Sequence, residues 1–186
     1  AYYVRYADDF LIMFQDENDA RAVMSVLPKR LGRFSLEVAE DKTWILPFGR
    51  FKGTKEDFDF LGFTFFNTTT RTGKYRVGVR TSKKKLKAKK QAAKAWLRQQ
   101  LTKPIARTME TLAAVVRGHC NYYGVSGNFK QIQKFWKYLK YETYRMLNRR
   151  DQKGKLRYPK FLRIWNFYIE EPKLKVYIWG WKPKNV

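Results

Sequence analysis

The chain has 186 residues, with 40 Lys and Arg against 16 Asp and Glu for a formal charge of +24, and 44% apolar and 17% aromatic side chains. This much apolar and aromatic content excludes a globally disordered chain, and a single cysteine, Cys120, excludes an internal disulfide framework or a multi-cysteine zinc site. With no apolar run of about 18 residues and no signal-peptide pattern, a soluble cytoplasmic protein with no membrane partner is expected.

In chain order, residues 2–6 and 10–14 are two short runs of β-formers around Ala7-Asp8-Asp9, a hairpin pattern with an acidic turn. Residues 16–33 predict a helix. Asp16 suits its cap, Ala20, Val23, Met24, Leu27 and Leu31 recur at three and four, and Pro28 is expected to kink it or end it early. Residues 36–38 and 43–48 read as short strands around Glu40-Asp41-Lys42, followed by a polar loop at 49–57. A strand is expected over 58–65, and a turn at Thr72-Gly73 makes 60–67 and 74–80 a hairpin.

After residue 80 the pattern turns helical. Residues 83–101 place Leu86, Ala93, Trp96, Leu97 and Leu101 on one side and lysines on the rest. A second helix starts near Pro104, carries Ile105, Met109, Leu112, Ala113 and Val116, and ends near Gly124. A third follows Gly127-Asn128 with Phe129, Ile132, Trp136, Leu139, Thr143 and Met146. Three amphipathic helices with short connections predict a small bundle. Residues 151–186 are aromatic, basic and broken by Pro159, Pro172 and Pro183, and are read as an irregular extension packing back on that bundle.

Charge is distributed unevenly along these elements: residues 1–59 carry a net −2 and residues 60–186 a net +26. Such one-sided charge repels itself unless a polyanion is the working partner. Arg71 to Arg98 hold twelve bases without an acid, including Arg80, Lys83, Lys84, Lys85, Lys87, Lys89, Lys90, Lys94 and Arg98. Like charges at helical spacing destabilise a helix, and a phosphate backbone supplies the counter-charge. The dominance of lysine favours gripping the backbone over reading bases.

The acidic turn carries the chemistry. Asp8 and Asp9 lie between apolar strands, and burying two carboxylates there is costly unless a cation neutralises them. By themselves they read either as a solvated turn or as ligands for Mg²⁺, which binds through one or two carboxylates, water and substrate phosphates.

Tyr6-Ala7-Asp8-Asp9, within Val4-Arg5-Tyr6-Ala7-Asp8-Asp9-Phe10, resembles the catalytic hairpin of reverse transcriptases in the form used by group II intron-encoded proteins. Glu40-Asp41-Lys42-Thr43 resembles the next palm motif, and Phe58-Asp59-Phe60-Leu61-Gly62-Phe63 the primer-gripping element. Arg117-Gly118-His119-Cys120-Asn121-Tyr122-Tyr123 resembles the thumb, or maturase, helix. The resemblance implies an α+β fold: the carboxyl-terminal half of a reverse-transcriptase palm over 1–80 (β-hairpins with a packed helix), a three-helix thumb bundle over 81–150, and the extension over 151–186.

It implies RNA-directed DNA synthesis with two Mg²⁺ ions, and partners that are intron RNA, template RNA, a DNA primer and deoxynucleoside triphosphates. Asp8 would be a direct metal ligand and Asp9 would complete the site. Ala7 would be small to let primer and template pass, and Tyr6 would pack beside the primer end. Lys42 would lie near the incoming phosphates, its plain alternative being a surface lysine beside Glu40. Leu61 and Gly62 would let the backbone approach the primer, the alternative being a glycine at a strand bulge. Arg117, Asn121 and Tyr122 join the lysine run as nucleic-acid contacts.

The family's site also uses a third carboxylate from an upstream strand. Since the chain opens on a strand without Met, fingers and upstream palm are expected from the same polypeptide or a second chain, without which it should not polymerise. The rival readings are a non-enzymatic RNA-binding maturase with a vestigial palm, and a related enzyme of a retron, a diversity-generating element or a phage-defence system.

Overall fold

A computed structural model describes residues 1–51, 55–150 and 156–178; the parts of the expected loop and extension at 52–54, 151–155 and 179–186 lie outside it. The fold is α+β, with two small antiparallel sheets and five α-helices among the described residues. Two compact units are distinguished, one of residues 1–61 and 66–77, the other of residues 62–65 and 78–186.

In the first unit, strands β1 (Tyr2–Tyr6) and β2 (Asp9–Met13) pair antiparallel, with Tyr2 opposite Met13 and Tyr6 opposite Asp9. The turn is therefore two residues, Ala7-Asp8, and Asp9 belongs to the strand, one residue earlier than the sequence pattern indicates. Helix α1 (Glu17–Gly32) is capped by Asp16, whose side chain accepts from the Asn18 N–H at 2.7 Å. Ala20, Met24, Leu27 and Leu31 form its half-buried stripe. Pro28 does not end the helix: α1 runs four residues further. Proline removes its own donor, and residues 29–32 retain theirs.

The short strands expected at 36–38 and 43–48 are absent. Glu40–Lys42 is a single 3₁₀ turn between extended segments, since strand-formers without a neighbour to pair with gain no ladder. No described residue of this unit is fully buried.

Where one strand was expected over 58–65 there are two. Strands β3 (Asp57–Phe60), β4 (Phe63–Thr69) and β5 (Tyr75–Thr81) make a sheet of that order. Leu61 and Gly62 form the β3–β4 turn with φ of 49° and 77°, positive at both central residues as a type I′ hairpin turn requires. The β4–β5 loop is closed by Thr70, whose N–H donates to Lys74 O at 2.7 Å and whose hydroxyl accepts from the Lys74 N–H at 3.1 Å.

The second unit is built on α2 (Lys83–Gln99), α3 (Ile105–Tyr123), α4 (Phe129–Arg150) and α5 (Tyr158–Tyr168). Its core joins Leu97 of α2, Met109, Leu112, Val116 and Cys120 of α3, and Ile132, Phe135, Leu139 and Met146 of α4 to Phe161 and Trp165 of α5. Among the described residues a fourth helix, α5, thus packs on the three expected of the bundle, and the extension is irregular only in part. Pro159 sits in the first turn of α5, where its missing N–H has no partner to lose, and Phe161, Trp165 and Ile169 recur every four residues into the core. Trp165 meets Trp136 edge to face at 5.7 Å, and the Trp136 indole N–H donates to Glu170 O at 3.1 Å. Two side chains expected inside, Ile105 and Phe129, are more than a third exposed.

Asn128 is fully buried and clasps three elements of this unit. Its Oδ1 accepts from the Thr81 N–H at 2.7 Å, and its Nδ2 donates to Thr81 Oγ1 at 2.8 Å and to Tyr123 O at 2.9 Å. The end of β5, the last turn of α3 and the start of α4 are tied at one point.

Candidate catalytic turn and nucleic-acid interface

The β1–β2 turn gives Asp8 and Asp9 their presentation. Ala7 has φ 51°, a left-handed value that costs a side-chain-bearing residue about 1–2 kcal/mol. Arg5 Nε donates to Ala7 O at 2.8 Å and holds the turn. A smaller residue than alanine would relieve the strain and a larger or branched one would add to it, a local reason for small size at this position.

Both carboxylates are exposed, as are Tyr6 and every other residue of β1. The expectation that the pair is buried and must be neutralised is therefore corrected: Tyr2, Tyr3, Val4 and Tyr6 all keep large solvent-facing surface, and nothing among the described residues desolvates the turn. What the structure offers is two exposed carboxylates at adjacent positions. No group of three His, Cys, Asp or Glu that could cage an ion occurs among the described residues. Mg²⁺ does not require a cage, so an exposed carboxylate pair awaiting water and phosphates fits its chemistry. Lys42 ends the 3₁₀ turn and is exposed.

Gly62 is placed by packing as well as by φ. A β-carbon there would lie 2.8 Å from the Tyr123 hydroxyl, so the turn backbone rests against that ring as only glycine allows. Phe63 stacks on Tyr122 at 5.8 Å and meets Tyr123 edge-on at 5.1 Å. The Ser82 N–H donates to Gly62 O at 2.9 Å.

Helix α3 divides the Arg117–Tyr123 string between its two faces. Arg117, Gly118, Asn121 and Tyr122 face outward, while His119 and Cys120 are buried, the split that 3.6 residues per turn produces. His119 is 1% exposed, lies 4.3 Å from the Phe135 ring and 4.8 Å from Tyr123, and has no partner for either ring nitrogen among the described residues. Burial, with the Lys89 ammonium adding to it, lowers its pKa to about 3. Burial likewise raises the Cys120 thiol. A neutral histidine beside a protonated thiol in an aromatic core is a packing pair, not a metal site.

Among the lysines of α2, Lys83, Lys84, Lys85 and Lys87 are exposed, and no acid stands in the first turn. Three lysines at the positive end of a helix dipole oppose it, by typically 0.3–1 kcal/mol per charge at low salt. Lys89 departs from this outward set. It is half buried, with its ammonium 5.8 Å from the Tyr123 ring and 5.6 Å from the Phe135 ring, and burial lowers its pKa.

Lys83, Lys87 and Lys90 line a groove of about 660 Å³ with Arg80, Lys134 and Tyr138. Lys94 and Arg98 lie instead beside Arg145 and Arg149 around the mostly buried Glu142, which Lys94 approaches at 4.0 Å and Arg145 at 3.7 Å. Lys134, Arg145 and Arg149 escaped the sequence reading. A signal existed: Gln131, Lys134 and Tyr138 stand at i, i+3 and i+7 on one face of α4.

Two family models match the chain. Residues 1–65 match reverse transcriptase (RNA-dependent DNA polymerase), and residues 86–165 match the maturase-specific domain of group II introns. No curated protein and no solved structure matches it. Among the described residues no helix is long and apolar enough to cross a membrane. The first match contains the acidic turn, and the second takes in most of the basic helix, the whole Arg117–Tyr123 string and part of α5. Both domains imply nucleic-acid partners, and the maturase match favours the intron type over the retron, diversity-generating and defence alternatives. With a reverse-transcriptase segment followed by a maturase domain, the chain belongs to the family of group II intron reverse transcriptases and maturases.

Proposed function

We propose that the chain provides the metal-binding turn of an RNA-directed DNA polymerase together with the thumb that grips RNA during synthesis and intron splicing. The observation that carries this reading is a pair of exposed carboxylates at adjacent positions, Asp8 in the strained two-residue turn and Asp9 at the start of β2, inside the segment matched to reverse transcriptase. Asp8 and Asp9 would hold Mg²⁺, with another carboxylate coming from a fingers and palm segment in the same or a second chain. Bound there, Mg²⁺ supplies Lewis acidity for the attacking hydroxyl and charge stabilisation for the leaving oxygen.

The remaining roles belong to this chain's own side chains. Ala7 keeps the turn low, Tyr6 supports the primer end, and Leu61-Gly62 bring backbone close to the primer strand. Lys42 offers a cation to the phosphates of the incoming deoxynucleotide. On the thumb, Arg80, Lys83, Lys84, Lys85, Lys87, Lys90, Lys94 and Arg98, with Arg117, Asn121 and Tyr122 on α3, take the RNA backbone. Lys89 contributes through packing, its ammonium lying over two rings.

In the complete enzyme, Asp8→Asn removes the negative charge of a metal-holding carboxylate and should abolish primer extension on an RNA template while leaving RNA affinity within about twofold. Extension at the parental rate would end the metal assignment. Replacing Lys83, Lys84, Lys85, Lys87 and Lys90 by glutamine should weaken RNA binding and flatten its dependence on salt by nearly one unit of log–log slope for each phosphate no longer neutralised.

A further inference from the structure

The groove between α2 and α4 holds more than a cation strip needs. Lys83, Lys87, Lys90 and Lys134 supply point charges, no carboxylate lines it, and two amides, Gln91 and Gln131, also line it. Leu86 and Tyr138 give it an apolar side, with the Lys90 ammonium 5.1 Å from the Tyr138 ring. All of these residues belong to the second unit, so the groove is a feature of one compact body.

The amides offer something phosphate alone does not use. A phosphate oxygen only accepts, and a groove for phosphate alone is served by donors alone. Each glutamine also brings a carbonyl oxygen, an acceptor to which phosphate has nothing to donate. A ribose 2′-hydroxyl both donates and accepts, and it recurs once per nucleotide along the same edge as the phosphates. Deoxyribose has nothing to offer at that position.

We infer that this groove seats the sugar–phosphate edge of an RNA strand, with phosphates on the four lysines and 2′-hydroxyls on Gln91 and Gln131, so that it selects ribose over deoxyribose without reading sequence. The inference rests on the reading of the thumb as an RNA-gripping surface and adds the groove's chemical preference to it.

The test uses the full chain and three labelled oligonucleotides of one sequence: RNA, 2′-O-methyl RNA and DNA, with affinity followed by fluorescence anisotropy across a salt series. RNA should bind about tenfold more tightly than DNA, as two hydrogen bonds of ordinary net strength allow. 2′-O-methyl RNA, which keeps the acceptor and loses the donor, should fall to near the DNA value on the unaltered protein, where no folding defect can intervene. The Gln91→Leu/Gln131→Leu variant should bring RNA down to DNA while leaving DNA affinity and the salt slope unchanged. Equal affinities for the three oligonucleotides, or a glutamine effect that changes with base sequence, would overturn the ribose assignment. A Lys83→Gln/Lys87→Gln/Lys90→Gln/Lys134→Gln variant should flatten the slope for RNA and DNA alike; an unaltered slope would remove RNA from this face, and the thumb reading with it.

Discussion

Asn128 offers the sharpest test of what holds the second unit together. In Asn128→Ala the Thr81 N–H loses its acceptor at 2.7 Å and the Thr81 hydroxyl loses its partner, both at a site with no solvent access. Tyr123 O is less affected, because it also accepts from the Val125 N–H at 2.8 Å. Each buried group left unpaired costs about 1–3 kcal/mol, so the two together should cost roughly 2–6 kcal/mol. At roughly 2–4 °C per kcal/mol for a chain of this size, the melting temperature should fall by about 4–24 °C. Thermal melts followed by circular dichroism and urea titrations with an unchanged m-value would measure it. Asn128→Asp should be at least as costly, since it deletes both N–H donors and buries a charge. Thr111→Ala, an exposed side chain bonded only to Arg107 O, should stay within about 0.5 kcal/mol. A loss below about 1 kcal/mol for Asn128→Ala would mean that the three elements are held by apolar packing alone.

Gly62→Ala should destabilise by about 1–2 kcal/mol, through φ 77° and the approach of the new β-carbon to the Tyr123 hydroxyl, and Tyr123→Phe in the same chain should recover part of the loss in a double-mutant cycle. Gly118→Ala should do the opposite: its β-carbon would meet nothing within 4 Å in mid-helix, so the denaturation midpoint should rise by about 0.5–1 kcal/mol equivalent. His119 makes stability acid-sensitive. Its folded pKa of about 3 lies below the ordinary 6.5, so the unfolded chain takes up the proton first. The contribution is complete above pH 6.5 and is lost as pH falls from there towards 3, with a slope approaching about 1.4 kcal/mol per pH unit. His119→Leu should remove that slope in urea titrations run at several pH values.

The helices of the second unit were legible because their apolar spacing is strict: Met109, Leu112 and Val116, or Ile132, Leu139 and Met146, can share a face only at 3.6 residues per turn. The stripe of α5 was present too, in Phe161, Trp165 and Ile169, but three prolines and a basic background masked it. The Leu61-Gly62 turn was hidden for a different reason. Leucine is unusual where a left-handed backbone is required, and Phe58–Phe65 reads as one apolar strand. Lys89 lies three residues from Leu86 and four from Ala93, so its position points inward although its charge points outward. The Asn128 clasp joins residues 47 apart and has no local signature. For the acidic turn, residue types were readable and exposure was not, because burial depends on what packs against a hairpin and not on the hairpin's own letters.

The lysine-laden start of α2 has a practical consequence. Ser82 supplies no side-chain cap, and the first turn contains no acid, so part of what would quiet this end of the helix must come from solution. Heparin or inorganic polyphosphate should therefore raise the melting temperature at low ionic strength and cease to do so in high salt. A preparation stripped of nucleic acid should be the less heat-resistant one.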